Sequence, residues 1–494
     1  MSRFANLSIF FLGAGVLFSV PALFLLNLKS RFDALIAAEA AVACIFSLAV
    51  CFKLRFVIEH KVNHAAHCIS QQGRKKWLAS VLLTGMSIRI AFAIIFPSVS
   101  HSDGLAYLGL AQSLVNGTGY TLGGDLAYLP PGYPFFLTPL LLFPVDINKA
   151  ILTSNLVLYM GTTLITYRLG RDLVNENTGK FAVLILALWP NYIGYAGLGE
   201  KENLVIFLVI LVLWLAEDSI TRSAGTSKVP VKVSVACGVA LGCAALTQPS
   251  IQLFFLVIVA YDYMRGSERR VIFLRLACIA FGAAIIVLPW TARNLTVVGV
   301  PVLISLNGGD NLYRANNDLA TGTFTEFGTV DLRQENEIEK NRKGFRLATA
   351  WIKENPGAFL RLSLMKQVYF LGDDSLAIYS SIKLNQSATE KVYVMIKLAA
   401  LGWWYFFWLV LLAISLRHSI DESKIPSATL LVLGILYFFA LHSVFESGGK
   451  YHFPAITFMA ILFSATATSL AGIASKTRAG ELKESLFLTL VKSK

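Results

Sequence analysis

The residues in this chain that could do chemistry fall in a few short stretches. From His101 to Pro134 the sequence HSDGLAYLGLAQSLVNGTGYTLGGDLAYLPPGYP gathers acids, four tyrosines (Tyr107, Tyr120, Tyr128 and Tyr133), glycines and prolines without a single Lys or Arg. A carboxylate such as Asp103, at the head of DGLAYLGLAQSLV, can take a proton from a hydroxyl; with Ser102 it could equally cap the helix that follows. Glu200 and Glu202, in GEKENL, precede an apolar run, where acids also favour a helix N-terminus. Arg293, in LPWTARN, carries a guanidinium suited to bidentate contact with phosphate oxygens, or to snorkelling from an interface beside Trp290. Lys450, in KYHFP, offers a point charge. Arg89 lies inside an apolar run, where an unpaired ion is expensive, so a buried partner or a water-filled cavity is implied. His60, His64 and His67, followed by Cys68, have helical spacing that could bind zinc, but they sit in a basic loop far from the other candidates. The sequence shows no metal motif.

The elements that position these residues are membrane helices. Of 494 residues 55% are hydrophobic and only 15% charged, too apolar for a soluble protein of several domains. The net charge of +13 is carried in short clusters between apolar runs, where cations orient helices and meet anionic lipid. This argues against nucleic acid as a partner. Five of the six cysteines lie in apolar runs and Cys68 in a basic loop, so no disulfide framework is implied. Runs long enough to cross a bilayer occur at about 8–28, 33–54, 77–97, 149–168, 179–197, 201–217, 230–247, 249–264, 271–290, 395–416, 426–444 and 452–472. The run 135–145, broken by Pro139 and Pro144, is too short to cross and is expected as a second juxtamembrane helix.

Basic loops before 77 (Lys53, Arg55, Lys61, Arg74, Lys75, Lys76), around 168–180 and at 265–275 fall on one side if the N-terminus is cytoplasmic. The cation-free loop 99–148 then faces outward and the basic C-terminal tail inward, while Lys29 and Arg31 fall on the wrong side. Four regions follow: an N-terminal transmembrane hairpin with a basic loop (1–76), a transmembrane core (77–290), an external soluble insert (291–394) and C-terminal transmembrane helices with a tail (395–494).

The order Asp103, Tyr107, GTGY, PPGYP resembles the first external loop of the GT-C membrane glycosyltransferases, of the protein-mannosyltransferase and lipid A aminoarabinose-transferase type (RgtA/B/C/D-like). GEKENL, LPWTARN with NGGDNLY, and KYHFP follow in the family's order, so the resemblance covers roughly residues 77 to 470. It implies an all-α polytopic fold, a GT-C bundle of about 12 transmembrane helices with juxtamembrane helices. The implied enzyme sits in the bacterial inner membrane with both termini cytoplasmic and its site facing the periplasm. It would move a sugar, with inversion, from a polyprenyl-phosphate donor to a glycan, lipid or protein acceptor, with membrane lipid as a further partner.

Such a transfer needs little acid assistance, because phosphate leaves as a stabilised anion; it needs a base for the acceptor and positive charge on the phosphate. The resemblance gives Asp103 the role of base and Glu202 that of acceptor orientation or second base. Arg293, Lys450, Tyr107, Tyr133, Glu200 and Arg89 are the expected substrate-binding residues. No cofactor is required, although some relatives hold a divalent ion, which His101 and His452 could approach with Asp103. Gln248 stands where relatives often have Thr-Arg-Pro, and PPGYP lacks the lysine that precedes the prolines in aminoarabinose transferases, which argues against that particular activity. The rivals are a transporter or lipid flippase, which should show paired broken helices and midplane ionisable groups, and an inert relative that would tolerate loss of Asp103.

Overall fold

The computed structural model describes residues 68–226, 228–417 and 426–468, with isolated residues before 68. The expected hairpin at 8–54 falls almost wholly outside the described residues, as do His60, His67 and the tail beyond 468. Among the described residues the chain is helical, with no strand and one isolated bridge between Leu122 and Asp125. Helix α1 (Arg74–Ile95) leads to α2 (Asp103–Val115) and α3 (Gly132–Leu141), then α4 (Ile147–Leu173) and α5 (Glu176–Ala187). After a broken stretch come α6 (Glu202–Ser223), α7 (Val231–Thr247), α8 (Phe255–Met264) and α9 (Arg269–Val297). The next region holds α10 (Gly308–Arg314), α11 (Glu337–Glu354) and α12 (Pro356–Gly372); α13 (Glu390–Arg417) and α14 (Pro426–Val444) follow, and helix resumes at 456–468.

Five helices are long and apolar enough to cross a bilayer: α1, α4, α6, α9 and Glu390–Leu411 of α13; Val231–Thr247, Pro249–Met264 and Thr429–Val444 are shorter. Residues 135–141 fall in the ten-residue α3, too short to cross, as the prolines require. Helices α7 and α9 approach closely because both carry glycine at the crossing. A Cβ at Gly238 would stand 2.0 Å from the Ile279 carbonyl oxygen, and one at Gly282 would stand 2.2 Å from that of Val235. Small residues of this kind let membrane helices gain van der Waals contact backbone to backbone.

The expected span 179–197 is not one helix. Helix α5 stops at Ala187, Trp189 is extended, and Pro190 opens a single new turn to Gly194. Proline disfavours helical backbone in the residue before it and lacks the N–H that would continue the ladder. The carbonyls freed at the end of α5 find Arg89. Its Nη1 donates to the Ala187 oxygen (3.2 Å) and the Gly85 oxygen (3.1 Å), and its Nη2 to the Leu186 oxygen (3.2 Å). The guanidinium carbon lies 3.7 Å from the centre of the Tyr159 ring and 4.6 Å from that of Tyr192. The buried partner that Arg89 demands is therefore a broken helix end and two aromatic faces.

The insert is also less separate than its polarity suggests. Helix α9 runs on to Val297, and α13 begins at Glu390. Helices α10 and α11 meet at Gly309 and Gly344, where a Cβ on Gly309 would stand 1.9 Å from the Asn341 oxygen. Beyond α12, Ala377, Ile378 and Ile382 are buried against the end of the helical bundle, and the Asn191 side chain accepts from the Ala377 N–H (2.9 Å).

Arg89→Gln should leave insertion intact and lower unfolding free energy by about 2–4 kcal/mol, because carbonyls now bonded to a cation lose their donors. Thermal unfolding in detergent measures this, and an unchanged midpoint would mean the α5 end finds other donors.

Candidate active site

The approach of α2 to the loop before α6 builds the site. Ser102 turns the chain with φ 46° and ψ −115°, a conformation that L residues adopt at a cost, and its side chain makes no capping bond. Asp103, in the first turn of α2, instead directs its carboxylate to Lys450, with Oδ2 3.6 Å from Nζ. The next residue, Gly104, allows close contact: a Cβ there would stand 2.8 Å from the Gly199 carbonyl oxygen and 3.1 Å from Glu200 Oε1. A Cβ at Gly199 would in turn lie 2.2 Å from Ser100 Oγ. Asn155 of α4 fixes the far side of this loop, its Nδ2 donating to the Ala196 and Leu198 oxygens (both 3.0 Å), while Asn203 Nδ2 donates to the Tyr195 oxygen (2.9 Å).

Asp103, Glu200, Glu202, Tyr107, Tyr133 and Lys450 are brought together. Asp103 remains 47% exposed and Lys450 30%. Burial pushes the Asp103 carboxyl up, but the charges of Lys450, Lys201 and Arg314 and the Lys450 hydrogen bond outweigh this and leave it below the ordinary value. Glu200 goes the other way: burial first, then the like charges of Glu202 and Asp103, raise it well above a normal glutamate against the pull of Lys450 and Lys201. Glu202 is 6% exposed, and its Oε2 is buried without a hydrogen-bond partner. The Tyr107 and Tyr133 rings meet edge to face at 5.5 Å. Burial and the neighbouring carboxylates raise both phenols, so both stay protonated donors, and the Tyr133 hydroxyl has no partner. Lys450 is held charged, by Tyr451 most and then by Asp103, Glu202 and Glu446, against the effect of burial.

Arg89 does not join this group. Arg293 is committed elsewhere: Nη1 donates to the Leu126 oxygen (2.6 Å) and to Asn294 Oδ1 (3.0 Å), Nη2 donates to the Tyr120 oxygen (3.1 Å), and the guanidinium carbon lies 4.8 Å from the centre of the Trp290 ring. Glu337 completes the clamp, its carboxylate accepting from the Leu126 N–H (3.1 Å) and the Ala127 N–H (2.9 Å). Both fix the loop between α2 and α3. His452 also turns away: Nε2 lies 3.1 Å from Asp374 Oδ1, and the ring stacks on Trp404 at 4.4 Å. It does not face Asp103 as a metal ligand would.

Two cations near Asp103 escape sequence reasoning. Lys201 has its ammonium 5.8 Å from the centre of the Tyr107 ring, within the electrostatic reach of Asp103 and Glu200. Arg314, at the end of α10, adds a weaker electrostatic pull on Asp103 from a guanidinium bonded to the Asn311 side chain and the Thr325 oxygen, with Nε 3.6 Å from Asp310 Oδ2. Their signal was present, since Lys201 sits between the two glutamates and Arg314 ends NGGDNLYR, but neither stretch reveals that α10 meets the loop between α2 and α3, where the Tyr128 hydroxyl donates to Asp310 Oδ2 (2.6 Å). Asp374 is the third omission. Buried, it accepts from Trp189 Nε1 (2.7 Å) and Asn191 Nδ2 (2.5 Å) besides meeting His452, and so braces the turn that presents Lys450.

Beside the acids an apolar groove of about 740 Å³ runs between α3, α6, α7 and α9. Leu204 and Leu208 continue the face of α6 below Glu202, Phe135 and Phe136 follow Tyr133, and Arg293 stands at the polar end. Gly132 closes one wall, where a Cβ would stand 2.5 Å from the Thr247 nitrogen.

The described residues form a helical membrane protein with carboxylates and cations gathered at one helix end. Residues 129–293, about a third of the chain, match the family described as dolichyl-phosphate-mannose-protein mannosyltransferase. The matched segment contains Tyr133, Glu200, Glu202 and Arg293 but neither Asp103 nor Lys450. The chain is similar to the crystal structure of the Archaeoglobus fulgidus oligosaccharyltransferase in the apo form (TM-score 0.48, 13% identity, 84% of this chain and 52% of that one). It is also similar to the archaeal oligosaccharyltransferase AglB from the same organism in complex with an inhibitory peptide and a dolichol-phosphate (TM-score 0.49, 13% identity, 84% and 52%). The chain thus spans about half the length of these structures. No curated protein sequence matches it.

Arg293→Ala should free the backbone of 120–127, raising amide exchange there by at least about tenfold, since each bond from a charged donor contributes roughly 1.5–3 kcal/mol. Exchange measured by mass spectrometry that stays at wild-type level across this loop would show that Glu337 alone holds it.

Proposed function

We propose that this chain moves a sugar from a polyprenyl-phosphate donor to a hydroxyl of a glycan, lipid or protein acceptor, with inversion, at the periplasmic face of a bacterial inner membrane. The observation that carries the reading is Asp103, a half-exposed carboxylate paired with Lys450 (3.6 Å), which lowers its pKa. In this reaction the acceptor O–H gives its proton to Asp103 as its oxygen bonds to the anomeric carbon. The bond from that carbon to the phosphate oxygen breaks, and the phosphate leaves with the electron pair. Lys450 and Lys201 offset the charge that develops on it. Lys450 and Lys201 take the part first expected of Arg293, whose donors are spent on the loop. Glu202, with a free carboxylate oxygen, and Tyr133, with a free hydroxyl, orient acceptor and sugar. The groove takes the first isoprene units of the carrier, which have no polar groups to satisfy.

The flippase alternative gains nothing from Arg89, the buried cation of α1, which is bonded to carbonyls and does not line a path.

Asp103→Asn keeps size and polarity but cannot take the proton. Transfer of labelled sugar from a panel of polyprenyl-phosphate donors should fall by roughly a hundredfold or more with expression unchanged; retention of a third of the wild-type rate, with chemistry limiting, would remove Asp103 as the base.

Lys450→Met tests the electrostatics separately. The base works only when ionised, so activity is lost as pH falls through the Asp103 pKa; the lysine depresses that pKa and places the loss at lower pH. Without it, the acid limb of the pH–rate profile should move to higher pH. A limb at its wild-type position would mean that another group sets it.

A further inference from the structure

The opposite end of the helices carries a second site. Arg74 opens α1, whose other end leads to Asp103, and Arg168 and Arg171 lie in the last two turns of α4, whose first turn is on the Asp103 side. The 22 residues of α1 separate the two ends by roughly 33 Å at 1.5 Å per residue. Between α1 and α4 at this end is a groove of about 510 Å³ whose cationic rim is Arg74, Arg168 and Arg171 and whose floor is Leu78, Leu164 and Ile165.

The charges around it do not cancel. Arg171 pairs with Asp172 (2.6 Å) and Lys180 with Glu176 (3.1 Å), which uses both carboxylates at this end of α4 and the start of α5. Among the described residues no carboxylate lies within ion-pair distance of Arg74 or Arg168; Arg168 instead lies over the Trp214 ring at 5.3 Å. Arg74 also meets the Tyr167 phenol, a neutral partner, so two guanidinium charges are left at the rim without a countercharge. Free phosphate would use them and leave the leucine floor bare, and a neutral lipid would use the floor and leave the arginines unmatched. A ligand with one anionic phosphodiester and hydrocarbon chains uses both. We propose that this groove binds an anionic phospholipid, its phosphodiester between Arg74 and Arg168 and an acyl chain along Leu78, Leu164 and Ile165. The site is remote from the proposed transfer centre and does not depend on that reading.

The test uses the purified full chain in detergent, delipidated and titrated with phosphatidylglycerol or zwitterionic phosphatidylcholine, with bound lipid counted by native mass spectrometry. Wild type should hold one phosphatidylglycerol with roughly tenfold preference over phosphatidylcholine, and Arg74→Gln with Arg168→Gln should abolish the preference. Lys75→Gln with Lys76→Gln, which changes exposed cations beside the groove, should keep it, and unfolding midpoints should confirm that both variants are folded. Equal loss in the lysine variant would overturn the proposal in favour of general surface charge. Displacement of the lipid by millimolar inorganic phosphate would overturn it in favour of a phosphate site, and absence of any preference in wild type would overturn it outright.

Discussion

Asp103, Glu200 and Glu202, the first residue of α6, are held within reach of one another by backbone contact at Gly104 and Gly199, and carboxylates so placed repel. The arrangement persists because cations come from separate parts of the chain: Lys201 from the same loop, Lys450 from the turn before the last helix and Arg314 from the insert. The repulsion is shared unevenly. The more exposed Asp103 is kept charged by Lys450, while the enclosed Glu200 is driven towards its neutral form. A group of acids pushed to different protonation states by their surroundings is what proton transfer requires.

Much of the remaining structure fixes the distances on which this balance depends. Arg293 and Glu337 hold opposite sides of the loop between α2 and α3, one taking its carbonyls and the other its amides. Asp374, buried with Trp189, Asn191 and His452, ties the broken end of α5 to the turn that presents Lys450. The break at Trp189–Pro190 is therefore useful: an unbroken span there would present neither Trp189 nor Asn191 to Asp374 in this way.

Three buried or half-buried cations cross-link to backbone. Arg89 closes the end of α5, Arg293 clamps a loop, and Lys366, fully buried, donates to the Val444 oxygen (2.7 Å) and to Asn316 Oδ1 (2.9 Å). Burial pushes that lysine down to about 7. Carbonyls at helix ends lack intrahelical donors, and in an apolar surround a guanidinium or ammonium satisfies several at once. In the buried pair Arg275–Asp262 the cation meets a carboxylate instead, and Ser219 and Ser223 complete its guanidinium contacts.

The sequence by itself determined that the chain is a helical membrane protein, because apolar runs of bilayer length admit few other solutions in lipid. It determined too that the first loop matters, since Asp103, the glycines and PPGYP stand apart in composition, and it named Tyr107, Tyr133, Glu200, Glu202 and Lys450, which the fold brings to the same place. Those residues were legible because each sits at the boundary of an apolar run, and helix ends on one side of a membrane necessarily lie near one plane. Within that plane, only the tertiary structure decided which groups meet. Arg293 faces the carbonyls of Tyr120 and Leu126, Arg89 faces the broken end of α5, and Lys201 and Arg314 join Asp103. The contacts join residues up to about 350 positions apart, as Asp103 and Lys450 are. Hydropathy gives the depth of a side chain in the bilayer and not its direction around the helix axis, and it is direction, set by helix packing, that assigns partners.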